Sequence, residues 1–208
     1  FAKSGENCFL AYGLYRPHVP FVAPKSYFNL HEKSDFSVAE SDDSFLETIP
    51  KPAALSIRSK EEQINIESKK ASYIKRAYYA TTSFVDAQIG RVLKKLEETG
   101  LNKNTIIILT SDHGYHLGEH GHWQKQTLFE SATKVPLIIA GPVVKNQLDN
   151  INAPVELVDL YPTIMNLLKI QAPKFLQGKS LKPFLDGSIN PVRESAFTEL
   201  QLNTKDGM

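Results

Sequence analysis

Apolar residues along this chain follow two different rhythms. From about Ser72 to Glu98, Ile74, Ala77, Thr81, Phe84, Ile89, Val92 and Leu96 recur at helical intervals, while Lys75, Lys94, Lys95 and Glu98 take other faces. This span is predicted to be a long amphipathic helix, with Gly100 as its stop signal. Thr105-Ile-Ile-Ile-Leu109 is instead a continuous β-branched run, the pattern of a strand covered on both faces. Val135-Pro-Leu-Ile-Ile-Ala-Gly141 reads as a second apolar strand, and Asn7-Cys-Phe-Leu-Ala-Tyr12 as a core strand near the start. A further helix is expected from about Val155 to Leu168, with Pro162 either bending it or starting a new segment. This order of strands and helices predicts an α/β layered fold, a mainly parallel sheet flanked by helices.

Polar stretches separate these elements. In Gly13-Leu-Tyr-Arg-Pro-His-Val-Pro-Phe21, Pro17 and Pro20 are expected to hold an extended, rigid loop that presents Arg16 and His18. From Pro24 to Ser68 the residues are mostly polar, of mixed charge and weak periodicity. That span reads as a surface excursion with short helices or as a substrate-facing insertion.

Composition narrows the classes of function. With 41% hydrophobic and 23% charged residues among 208, the chain suits one globular domain with a sizeable core. Its 24 basic and 23 acidic residues leave a formal charge of +1, so no global field recruits nucleic acid or an anionic membrane. Any anion site is therefore local. No apolar run approaches the roughly 20 residues that span a bilayer, and no basic-then-apolar leader opens the chain. The single cysteine, Cys8, excludes an internal disulfide framework, and in its apolar run it is expected to be a buried structural thiol rather than a reactive one. The abrupt start on Phe1-Ala-Lys, with a core strand at Cys8, reads as part of a longer protein.

Candidate chemistry concentrates in Thr110-Ser-Asp-His-Gly-Tyr-His-Leu-Gly-Glu-His-Gly-His-Trp-Gln-Lys125. Open α/β sheets place ligands beyond the carboxyl ends of their strands, where Asp112 and His113 emerge. Carboxylate oxygen is the preferred donor for a hard divalent cation, so this pair is a candidate metal site; alternatively, Asp112 caps the following turn with Ser111 and Gly114 assisting. His113, His116, His120 and His122 would suffice in number for zinc, but Gly114, Gly118 and Gly121 interrupt any helix that would align them. The glycines favour a tight loop past a bound ion or anion, with His116, His120 and His122 in loop hydrogen bonds or the pocket wall. Lys125 is either a point charge for a tetrahedral anion or a solvated surface lysine. Trp123 either lines the substrate pocket or packs in the interior. His18 is either an acid–base group at a leaving oxygen or a structural histidine.

Several segments together resemble the sulfatase family of the alkaline phosphatase superfamily, most of all its iduronate-2-sulfatase-type members. They are Phe9-Leu-Ala-Tyr-Gly-Leu-Tyr-Arg-Pro-His-Val-Pro-Phe21, Tyr79-Ala-Thr-Thr-Ser-Phe-Val-Asp-Ala-Gln-Ile-Gly-Arg91, the stretch from Ser111 to Lys125, Val135-Pro-Leu-Ile-Ile139, Val158-Asp-Leu-Tyr-Pro-Thr163 and Leu176-Gln-Gly-Lys-Ser-Leu181. The resemblance covers nearly everything outside 24–68, and the ordered set is far more specific than any one motif. It implies an incomplete alkaline phosphatase-like fold, with residues 1–208 a single partial catalytic domain. It further implies that Asp112 and His113 help bind Ca2+, that Lys125 contacts sulfate, and that His18 binds sulfate or assists departure of the alcohol.

The family's nucleophile is a formylglycine made within a Cys/Ser-x-Pro/Ala-x-Arg segment. Cys8 is followed by Phe-Leu-Ala and does not fit that segment. The nucleophile and an early aspartate pair are therefore expected N-terminal to Phe1, and the present residues alone are expected to be inactive. The implied reaction is hydrolysis of sulfate monoesters, of a sugar or polysaccharide, in a secreted, periplasmic or lysosomal protein. Two other readings stand beside it: a phosphodiesterase or phosphonate hydrolase on the same scaffold, and a non-catalytic binder of sulfated glycans.

Overall fold

A computed structural model describes residues 7–32, 36–38, 43–57, 63, 66–145 and 150–201. They gather into two compact units, one holding the described residues between 7 and 102 with 114–134, the other 103–113 with the described residues between 135 and 201.

The first unit is organised on α3 (Ser68–Glu98). Ala71, Ala77, Ala80 and Thr81 form its buried stripe, and the interior Thr81 hydroxyl is satisfied by the Ala77 and Tyr78 carbonyls of its own helix. The helix stops where expected. Gly100 takes a left-handed φ of 73°, which costs glycine little, and its amide donates to Glu97 O at 2.9 Å. Helix α1 (Lys25–Asn29) packs on α3 through Tyr27 and Phe84, whose ring centroids lie 5.3 Å apart, and through Arg76 Nη2, which donates to Phe28 O at 2.9 Å. Further along, His31 Nε2 shares a 2.9 Å hydrogen bond with Ser83 Oγ, and Phe36 is buried against Tyr79. A 3-10 turn at Asp43–Glu47 and α2 (Lys51–Ser56) complete the short helices of the 24–68 excursion. Part of that span is interior, because Ser56, Ile57 and Gln63 are buried.

Two expectations in this unit need correction. The expected core strand at Asn7–Tyr12 pairs with no strand among the described residues, and Cys8 is exposed. Phe9 and Leu10 are 81% and 76% exposed. An apolar run becomes a core strand only where neighbours supply ladder partners and a covering layer, and the described residues supply neither. Likewise, the proline-rich loop turns instead of running extended. The His18 amide donates to Tyr15 O at 3.1 Å, Arg16 Nη1 donates to His18 O at 3.1 Å, and both the Arg16–Pro17 and Val19–Pro20 peptide bonds are cis.

In the second unit β1 (Ile107–Thr110) pairs with β4 (Leu137–Ala140), close to the expected strands. The register runs from Ile107 opposite Ala140 to Thr110 opposite Leu137, and the pair is antiparallel. The only other ladder among the described residues is antiparallel too, so the mainly parallel sheet is not what these pairings display. A continuous apolar run reports that both faces are covered; it says nothing about the direction of the neighbouring strand. Helix α5 (Leu160–Leu167) follows a 3-10 turn at Leu157–Asp159, and Pro162 lies in its first turn, where a missing N–H is tolerated. Proline thus starts a segment here and does not bend one. Glu156 and Asp159 form a reciprocal capping box, and both carboxylates bind Arg193. The segment from 178 to 181 is sewn to the same helix end. The Lys179 amide donates to Asp159 Oδ1 at 2.7 Å and the Leu181 amide to Thr163 Oγ1 at 2.8 Å. Beyond it, α6 (Lys182–Leu185) buries Phe184 and Leu185.

Candidate functional site

The second unit contributes the carboxylate–imidazole pair just past β1. Asp112 Oδ1 accepts the His113 amide at 3.1 Å, and Ser111 Oγ donates to His113 O at 2.9 Å, which is the turn-capping arrangement. The other oxygen, Oδ2, lies 3.6 Å from His113 Nε2 on a side chain that is 85% exposed. Oδ1 thus caps the turn, while Oδ2 and the imidazole lie side by side. A hard oxygen next to an imidazole nitrogen fits part of a divalent cation's donor set. Among the described residues no group of three or more His, Cys, Asp or Glu side chains is placed to hold a metal, so the pair makes at most two donors of a larger set.

The first unit holds the rest of the histidine-rich loop. Strands β2 (His116–Leu117) and β3 (Trp123–Gln124) form a small antiparallel hairpin with His116 opposite Gln124. Its connection turns at Gly118, with a φ of 104°, where a Cβ would meet Val38 Cγ1 at 2.3 Å and Trp123 Cζ2 at 3.2 Å. This tight glycine turn exists to let the loop lie on Trp123 and Val38. Trp123 itself is buried beneath that turn.

The three remaining histidines of the loop are scaffolding. His116 and His122 are fully buried, ring edge against ring at 4.8 Å, and His116 Nε2 shares a 2.9 Å hydrogen bond with Thr127 Oγ1. Burial lowers the His116 pKa below its ordinary value; the Glu119 carboxylate, 4.0 Å from Nδ1, partly opposes this and His120 adds to it. His120 is exposed, with a left-handed φ of 56°, and its ring lies 4.6 Å from Phe45 and 5.3 Å from Phe129. His116 and His122 thus pack inside the unit, and no group of three or more His, Cys, Asp or Glu side chains among the described residues is placed to hold a metal.

Lys125 is half-buried directly after β3. Its carbonyl accepts the Thr127 amide at 2.7 Å, and its ammonium has no hydrogen bond or ion pair among the described residues. His18 lies in the Pro-rich turn of the same unit, its ring 5.0 Å from Tyr15, over which the Arg16 guanidinium sits at 5.1 Å. Its Nδ1 is 2.9 Å from Val19 O. A carbonyl only accepts, so Nδ1 carries hydrogen in that bond and the neutral ring keeps Nε2 as its basic nitrogen. His18 and Lys125 share no hydrogen bond or ion pair among the described residues. What ties their segments into one unit is aromatic. Phe21, three residues after His18, meets Tyr78 of α3 edge-on at 5.5 Å and Tyr115 at 5.8 Å, while Tyr78 and Tyr115 stack at 5.4 Å. Burial first, and then Tyr78, pushes the Tyr115 phenol up to about 12.

Sequence reasoning passed over Thr127, the buried role of His116 and the Phe21–Tyr78–Tyr115 cluster. A hydroxyl two residues beyond a candidate lysine was the one signal available for the first; the others depend on contacts distant in sequence.

Comparison with known proteins completes the picture. The sulfatase family model matches residues 2–170. The chain is 43% identical over 179 residues to a sulfatase of Formosa agariphila, covering 83% of the chain and 34% of that protein. It is 33% identical over 206 residues to human iduronate 2-sulfatase, covering 82% and 37% respectively. Among solved structures it is similar to a phosphonate monoester hydrolase from Silicibacter pomeroyi, with a TM-score of 0.71, 30% identity, and 83% of this chain and 36% of that one covered. The chain thus spans about a third of the length of the curated relatives it matches.

Proposed function

The chain belongs to the sulfatase family, and from that premise we propose that it forms part of the active site of a sulfuric ester hydrolase. The observation that carries this reading is Lys125, a half-buried cation without a protein partner among the described residues, held on a hairpin in a chain of this family. Cleaving a sulfate ester requires positive charge at the sulfuryl oxygens and a proton for the departing alcohol. Lys125 is the point charge for those oxygens. His18, with Nε2 left as the basic nitrogen, is the acid–base group that holds a proton for the alcohol oxygen. Asp112 Oδ2 and His113 would be two ligands of a divalent cation, calcium in this reading, with the other ligands from elsewhere in the protein. Such a cation would add positive charge for an anionic ester, and a formylglycine elsewhere in the protein would supply a nucleophilic hydroxyl.

In this reading Asp112 and His113 are metal ligands, Lys125 contacts the sulfate and His18 serves the departing alcohol. What supports it is family membership, together with the position of each residue in a loop or just past a strand. The β1–β4 ladder then belongs to a larger, mainly parallel sheet. The substrate is a sulfate monoester of a sugar or polysaccharide, supported by the relative named for iduronate, a sugar acid. Export to the cell exterior, periplasm or lysosome belongs to the same proposal and is checked by fractionating cells that express the full-length protein.

The test is Lys125→Ala in the full-length protein, assayed on an aryl sulfate. Turnover is expected to fall by about 10²–10³, the scale of losing one group that stabilises developing charge, with the thermal transition unchanged. Wild-type kinetics would defeat the assignment. A second reading, hydrolysis of phosphonate or phosphate esters, is favoured by the likeness to the phosphonate monoester hydrolase. The ratio of kcat/KM on an aryl sulfate to that on an aryl phosphonate decides between them.

A further inference from the structure

Lys125 is anchored on both sides, and both anchors lead to one buried ring. Before it, Gln124 has a φ of 80°, a region that a residue with a side chain keeps only when its surroundings hold it there. The ladder partner of Gln124 across the hairpin is His116. After it, the Thr127 amide donates to the Lys125 carbonyl at 2.7 Å, and the buried Thr127 hydroxyl shares its 2.9 Å hydrogen bond with His116 Nε2. That imidazole has no exposure to solvent and stands edge-on against His122. The result is a lysine whose backbone is rooted while its ammonium has no partner among the described residues.

We propose that His116 and Thr127 are positioning residues for Lys125: their hydrogen bond sets where the lysine departs from the hairpin and so where its charge meets an anionic group of the substrate. The proposal rests on the reading of Lys125 as the sulfate contact. Thr127 thus joins two contacts, its amide on the Lys125 carbonyl and its hydroxyl on His116, and that hydroxyl also accepts the Phe129 amide at 3.4 Å. A displacement of about 1 Å in a group that stabilises a transition state costs on the order of 10²-fold in rate, so a backbone clamp is enough to govern turnover.

A double-mutant cycle in the full-length protein tests this, with Thr127→Val and Lys125→Ala made singly and together. The readouts are kcat on an aryl sulfate and calorimetric affinity for inorganic sulfate. Thr127→Val is expected to lower kcat about 10- to 100-fold and to weaken sulfate binding. Thr127→Ser, which keeps the hydroxyl, returns to within about threefold of wild type. In the Lys125→Ala background Thr127→Val adds nothing, because its effect passes through the lysine. Losses that multiply in the double variant overturn the proposal, as does a Thr127→Val protein that melts earlier yet turns over normally. Impairment by Lys125→Ala without impairment by Thr127→Val sinks the positioning role alone. Full activity and sulfate affinity in Lys125→Ala remove the sulfate reading and this proposal with it. If Thr127→Val does not fold, His116→Gln carries the same cycle, and an additive result there overturns the proposal.

Discussion

Gly178 lies against the peptide of Val158, and even the smallest side chain there is expected to unfasten the N-terminal end of α5. A Cβ at this position would stand 2.0 Å from Val158 O, 2.6 Å from its carbonyl carbon and 3.0 Å from Asp159 Cα. All three are backbone atoms, so no rotamer change relieves the overlap. Ordinary contact begins at 3.4 Å, so the segment must retreat by about 3.4 − 2.0 = 1.4 Å. The same retreat stretches the Lys179–Asp159 bond from 2.7 Å to about 4.1 Å and the Leu181–Thr163 bond from 2.8 Å to about 4.2 Å, past any hydrogen-bond limit. Losing a bond to a carboxylate costs about 1.5–3 kcal/mol and a neutral one about 1 kcal/mol, so Gly178→Ala should destabilise by about 3 kcal/mol. Urea denaturation of the full-length protein reads the loss as a lower midpoint, and hydrogen exchange at the Lys179 and Leu181 amides reads it locally. Gly13→Ala, where a Cβ meets nothing within 4 Å, is the control and should stay within about 0.5 kcal/mol of wild type. A Gly178→Ala protein that matches this control, with both amides still protected, would refute the reasoning.

Two other perturbations separate packing from chemistry. Gly90 is exposed inside α3, where a Cβ meets nothing within 4 Å, so Gly90→Ala should stabilise by about 0.5–1 kcal/mol; a melting temperature that stays level or falls contradicts this. His116 binds a proton less readily folded than unfolded, because burial lowers its pKa from 6.5. Its contribution to stability is therefore complete above the unfolded value and is lost as pH falls from there through the lowered folded one. Urea midpoints measured from about pH 7.5 down to about pH 5 should fall more steeply for wild type than for His116→Gln, and parallel curves would dismiss the effect.

Elements whose pattern is local were legible in the sequence. The stripe from Ile74 to Leu96 and the stop at Gly100 correspond to α3, and the β-branched runs at Ile106–Leu109 and Val135–Gly141 correspond to β1 and β4. Whatever depended on a partner was not. The apolar pattern of Asn7–Tyr12 shows that it suits an interior without showing what would enclose it, and the isoleucines of β1 carry no mark of the direction of β4. Pro17 and Pro20 suggested extension because their φ is fixed, while the turn is closed by the Tyr15–His18 backbone bond, which composition does not reveal. In the candidate site the residue types were readable: Asp112 and His113 are neighbours, and Lys125 has no partner for its ammonium among the described residues. Their support was hidden. Thr127, His116 and the Phe21–Tyr78–Tyr115 cluster act through contacts that no periodicity encodes, and the burial of Trp123 likewise cannot be read from its loop.

Thr110 and Leu137 face each other across the β1–β4 ladder, so everything between them leaves and re-enters the strand pair at neighbouring positions. Exposed positions of that stretch can therefore vary without disturbing the strand register, whereas His116, His122, Trp123 and Ala132, buried within it, limit what a replacement may contain.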